Sequence, residues 1–192
     1  MGLTQVYLST LEEFKNMALS VGADAESLSG LTRDVWNDAI REEINLQTVV
    51  FVVELKDYDW DDLLCLETHS AVEPYDFSDI GTLTVTNRKG FNDFNKALSL
   101  LAAHPTTVNK KAEIENGRRE VTNMYLSLGN SPVGLERAQQ LADDLYAAFD
   151  ILVSLSVNPT GSFQSYSESR RDSIDEFMRQ YRLLSDIIDL HS

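Results

Sequence analysis

The chain has 192 residues, with 31 Asp and Glu against 16 Lys and Arg, a net charge of −15, and 43% hydrophobic residues. That length suits one domain, or one with a protruding arm, and buries roughly 70% of the unfolded surface without help from metal or disulfide. The composition excludes a disordered chain, and the negative charge opposes non-specific contact with DNA, RNA or anionic lipid.

Cys65 is the single cysteine, so no intramolecular disulfide forms and a reducing compartment fits. It lies in the apolar run 63–66, which reads as a buried, inert thiol. The first residues lack a basic signal region, and residues 145–157 are too short an apolar stretch for a bilayer, with Asp150 inside them. A soluble intracellular protein is the expectation.

In chain order, Ser9 and Glu12 form a capping box ahead of Leu11, Phe14, Ala18 and Val21, with Gly22 as the stop. A second helix is expected from Thr32 to about Ile44, burying Val35, Trp36, Ala39 and Ile40. Residues 48–56 are β-branched and continuous, the pattern of a strand buried on both faces. An acidic turn and a loop carrying Pro74 and Gly81 follow, then the alternating strand 82–86.

From Asn92 onward helices are expected. One runs from Asn92 to about Ala103, ended by His104-Pro105. The next covers 107–128, with an uneven stripe of Val108, Ile114, Val121, Met124, Tyr125 and Leu128. Ser131-Pro132 then caps a helix reaching about Val157 that is apolar nearly all round. The last, roughly 165–190, turns Ile174, Phe177, Tyr181, Leu184 and Ile188 to one side. The expected fold is mainly α with a small β element (α+β), ending in a long antiparallel helical hairpin. It is read as a single domain, with an acidic mixed part over 1–90 and a helical part over 91–192.

Charge is unevenly placed along the sequence. Residues 1–80 hold 17 acids and 4 bases, while residues 88–119 hold seven bases and three acids. The basic cluster, Arg88, Lys89, Lys110, Lys111, Arg118 and Arg119, reads either as a solvated helix face or as a docking face for acidic protein. The segment 58–79 mixes Tyr58, Trp60, Tyr75 and Phe77 with acids that include Asp59, Asp61, Asp62 and Asp76. Such a loop suits a protein interface, or a surface whose carboxylates imitate phosphates.

Other chemistry is fragmentary. Asp57, Asp59 and Asp61 have calcium-loop spacing, but Asp62 replaces the turn glycine and Thr68 the bidentate Glu. Glu54 and Lys56 match three residues of a PD-(D/E)xK nuclease strand, where the acid holds Mg²⁺. His69, His104 and His191 are isolated, and no glycine-rich phosphate loop occurs.

The leading expectation is a non-enzymatic, oligomer-forming subunit of a large assembly, such as a phage neck or tail adaptor in a virion. It needs no cofactor or metal, and it packs through its acidic and basic faces against copies of itself or other proteins. Neither nucleic acid nor membrane is an expected partner. The alternative is an acidic inhibitor or immunity-type protein that binds a basic partner. A Mg²⁺-dependent nuclease using Glu54 and Lys56 is third.

Overall fold

The computed structural model describes residues 2–41, 98, 101–103 and 105–191. Of these, 89% are helical and none lies in a strand. The α+β expectation is therefore corrected: the described chain is all-α. Its apolar residues recur at spacings of three and four, and only a helix turns such a pattern onto one side. The strands expected at 48–56 and 82–86 lie outside the described residues, as do the acidic turn and the loop between them.

The chain divides into two units, residues 1–29 with 110–192, and residues 30–109. The divisions fall inside helices rather than near residue 90. The helices are α1 (Leu3–Arg41), α2 (Pro105–Ser127), α3 (Glu136–Val157) and α4 (Phe163–His191).

In the first unit, α1 to Ser29, α2 from Lys110, α3 and α4 form an up-down-up-down four-helix bundle. Direction follows from which residues meet. Along α1, Phe14 meets Tyr125 and Asp24 meets Lys110, so α2 runs antiparallel to α1. Tyr125 meets Tyr146 and Arg118 meets Asp150, so α3 reverses again. Phe149 meets Phe177 across the α3–α4 turn, while Lys15 and Ser29 of α1 meet Tyr181 and Tyr166 of α4. The bundled part of α1 is about 40 Å long at 1.5 Å per residue.

The core is one stripe from each helix. On α1 the buried positions are Leu11, Phe14, Ala18, Gly22, Ala25 and Ser29, at spacings of three and four. On α2 they include Ile114 and Val121, one heptad apart, and Leu128 continues the line just past the helix end. The third helix buries ten positions, among them Leu141, Leu145, Phe149 and Leu152, which makes it the most enclosed. On α4 the stripe is Tyr166, Phe177, Gln180, Leu184 and Ile188.

Several boundaries differ from the sequence reading, each for a physical reason. One helix runs from Leu3 to Arg41 where two were expected. Gly22 does not stop it because the Phe177 ring lies over that glycine, 2.9 Å from where a Cβ would stand. Its small size is used for close packing, and burial outweighs a helix-propensity cost of about 1 kcal/mol. Ser9 lies inside the helix rather than at its cap. The helix expected from 107 begins two residues earlier, at Pro105, since the first helical position needs no N–H.

Ser131-Pro132 does not cap α3. Its N-cap is Leu135, without a side-chain cap bond, and the Glu136 carboxylate folds back to accept from the Gly134 N–H at 3.1 Å. Hydrogen bonds from the Glu136 and Gly134 backbone hold that carboxyl below its ordinary pKa. The start of α4 is capped by Ser162, whose Oγ accepts from the Ser165 N–H at 3.2 Å while the Ser162 N–H donates to Ser165 Oγ at 3.0 Å.

Of residues 30–109, the described ones are the last turns of α1, four helical residues at 98 and 101–103, and the first turn of α2. Trp36, Leu101 and Thr107 are buried, whereas Ile40 and Val108 are exposed. Val108 was expected inward, but it is one residue off the heptad line that runs through Thr107, Ile114, Val121 and Leu128.

The α1–α2 contact rests on Gly117, where a Cβ would stand 2.6 Å from Val21 Cγ2. Gly117→Ala adds about 1 kcal/mol of helix propensity and costs about 1–3 kcal/mol of overpacking against a stiff valine. Thermal unfolding should show net destabilisation, and Val21→Ala in the same chain should recover part of it. A stabilised Gly117→Ala protein would contradict this packing.

Candidate functional site

The basic cluster was the strongest sequence signal, and the structure pairs two of its six residues with acids on neighbouring helices. Lys110 Nζ lies 2.7 Å from Asp24 Oδ1 on α1 and 3.6 Å from Glu113 Oε2 on its own helix. The hydrogen bond to Asp24 raises the Lys110 pKa above its ordinary value, with burial opposing. Arg118 Nε and Nη2 donate to Asp150 Oδ1 on α3 at 2.9 and 2.6 Å, and Nη2 also donates to Ser154 Oγ at 3.2 Å. Glu115 flanks the same guanidinium at 3.7 Å.

These two cations therefore tie α2 to both neighbours. Arg119 is exposed and donates to Asn116 on the same helix, and Lys111 is half-buried. Arg88 and Lys89 lie outside the described residues. So do all the acidic and aromatic candidates: Asp57, Tyr58, Asp59, Trp60, Asp61, Asp62, Tyr75 and Asp76. Glu54, Lys56, Cys65, His69 and His104 fall there as well.

Sorting the charges by folded unit removes the polarity suggested by sorting them along the chain. The bundle unit holds 17 Asp and Glu against 10 Lys and Arg, a net −7. Residues 30–109 hold 14 against 6, a net −8. Both units are acidic.

A second polar group was not foreseen. The Tyr7 hydroxyl donates to Gln139 Oε1 at 2.6 Å, and Gln139 Nε2 donates to Asp143 Oδ1 at 3.0 Å. The same oxygen accepts from the Tyr125 hydroxyl at 2.9 Å. Tyr125 stacks on Tyr146 with ring centroids 4.2 Å apart, and the Tyr146 hydroxyl shares a hydrogen bond with Thr122 Oγ1 at 3.0 Å. Burial first, and the Asp143 charge second, push Tyr7 up to about 12. Burial first, and its bond to Asp143 second, also raise Tyr125.

This network joins α1, α2 and α3 near one end of the bundle and holds its protons tightly. Its chemistry is structural: Tyr125 donates to the Asp143 carboxylate, and Tyr7 donates to Gln139, whose amide N–H donates to the same carboxylate. A signal did exist in the sequence, since Gln139 and Asp143 are four apart on one helix face. Lys15 is likewise a buried cation, 2.9 Å from Glu12 Oε2 and 5.3 Å from the centre of the Tyr181 ring.

Among the described residues no group of three or more His, Cys, Asp and Glu side chains could hold a metal ion. No described helix is long and apolar enough to cross a membrane. No protein-family model, no curated protein and no solved structure matches the chain.

Two outcomes are expected. Arg118→Ala should lower bundle stability by about 1 kcal/mol, the size of a charge-assisted bond to a partly exposed partner. Unchanged stability would make Arg118 a surface charge. In alkali, Tyr7 and Tyr125 keep their protons in the fold after unfolded tyrosines have lost theirs, so stability should fall from pH 10 towards pH 12. Ultraviolet titration should show a late tyrosine phase coincident with unfolding, reduced in Tyr7→Phe. Ionisation of every tyrosine near pH 10 with the fold intact would refute the network.

Proposed function

We propose that the protein is a non-enzymatic binding subunit and that its partner is a protein with a basic contact surface. One observation carries the reading: both units are net negative, and Lys110 and Arg118 of the bundle are paired with acids on neighbouring helices. A molecule of this kind repels phosphate and other copies of itself, and it attracts Lys- and Arg-rich surfaces. Its place is in a protein complex, as an acidic adaptor or an inhibitor-type subunit.

We favour contact with a different protein over a ring closed by unlike faces of the same chain, because Lys110 and Arg118 have acidic partners within the bundle. A role in a virion then calls for contact with a different, basic protein rather than with a copy of this one. Nucleic-acid contact is disfavoured by the same charge.

The test is affinity capture from the native source at low salt with elution on a rising salt gradient. The expected result is a specific protein partner with a basic surface, released as salt screens the contact. Capture of only further copies of the chain, or Mg²⁺-dependent nuclease activity lost in Glu54→Ala, would contradict the proposal.

A further inference from the structure

The two ends of the bundle differ. At one end lie the first turns of α1, the α2–α3 loop and the last turns of α4. The pairing of Lys15 with Tyr181, and of Tyr7 with Gln139, sets Leu190, Leu3 and Val133 at a common level there. Val133 is 100% exposed, Leu3 85%, Leu190 76%, Leu126 68% and Val6 50%. Of the exposed large apolar residues described in the bundle, only Ile151 lies elsewhere. The opposite end carries the α3–α4 turn, 158–162, together with Glu26, Ser27 and Lys110, and is polar.

Charge surrounds this apolar end asymmetrically. Glu136, Asp186 and Asp189 are exposed there, against Arg137 and, one turn before Asp186, Arg182. Residues 2–11 of α1 carry no charged side chain. Exposed apolar side chains scattered singly are ordinary, but their concentration at one acid-rimmed end points to a binding surface.

We propose that this end of the bundle docks an amphipathic protein segment whose apolar face is flanked by Lys or Arg. The inference rests on the basic-partner reading and gives it a location. The apolar side of the segment covers Leu3, Val133 and Leu190. Its cations meet Glu136, Asp186 and Asp189. A second copy of the chain fits worse, since it would bring its own acidic rim, on a chain of net charge −15, against this one.

The experiment titrates the full-length protein with a synthetic helical Leu/Lys peptide and with its Leu/Glu counterpart, at about 50 mM and at about 500 mM salt, spanning Debye lengths from roughly 14 to 4 Å. The Leu/Lys peptide should bind and the Leu/Glu peptide should not. Val133→Glu with Leu190→Glu should weaken binding about tenfold or more, without changing the thermal midpoint, because both side chains are exposed. Asp186→Lys with Asp189→Lys should weaken it similarly and admit the Leu/Glu peptide.

Salt-sensitive Leu/Lys binding that is untouched by Val133→Glu and Leu190→Glu would overturn this surface while leaving the basic-partner reading in place. Equal binding of both peptides, or of neither, would overturn both. Self-association of the wild type that disappears in Val133→Glu/Leu190→Glu would show that the occupant is a second copy, and the basic segment would be wrong.

Discussion

The bundle depends on how closely α1 can approach α2 and α4. The α1 stripe runs Phe14, Ala18, Gly22, Ala25, Ser29, so small residues occupy its middle. Phe177 fills the space over Gly22, and Val21 fills the space over Gly117. Large and small residues alternate across both seams, and burial of the rings and branched chains supplies the stability. Every polar contact between helices lies in a register that this packing fixes.

Within that register, cations act as struts. Lys110 reaches α1, Arg118 reaches α3, and Arg170 reaches the α1 backbone by donating to the Glu26 carbonyl oxygen and Ser29 Oγ. Each is worth little alone where solvent reaches it. Together they have a second effect. They place positive charge between helices, where acids neutralise it, and leave the surplus of carboxylates to face solvent. The net negative charge of the bundle unit follows from its 17 acids against 10 bases, and the functional proposal follows from that charge.

Much of this was legible in the sequence and some was not. The cores of α2, α3 and α4 could be read because Ile114, Val121 and Leu128, or Leu141, Leu145 and Leu152, repeat at helical spacing. The continuity of α1 could not. Gly22 and the run Ser27 to Gly30 have the composition of breakers, and only the distant Phe177 and Tyr166 show that Gly22 and Ser29 are buried against another helix. The pairing of two of the basic residues was illegible for a similar reason. The sequence places Lys110 and Arg118 in a basic stretch, but Asp24 and Asp150 are 86 and 32 positions away, brought close only by the antiparallel packing. The nearer acids, Glu113 and Glu115, were a local hint that the stretch is not a free cationic face. The acidic and aromatic residues 57–76 lie outside the described residues.

The central claim is that Lys110, Arg118 and Arg170 are paired between helices and that the net charge of −15 makes copies of the chain repel one another. Sedimentation equilibrium of the intact protein at low and high salt tests it most directly. The account expects a single species of 21.6 kDa at both, because like-charged molecules gain nothing from each other when screening is weak. An oligomer that forms at low salt and dissociates at high salt would contradict it, since only opposite charges on separate faces behave that way.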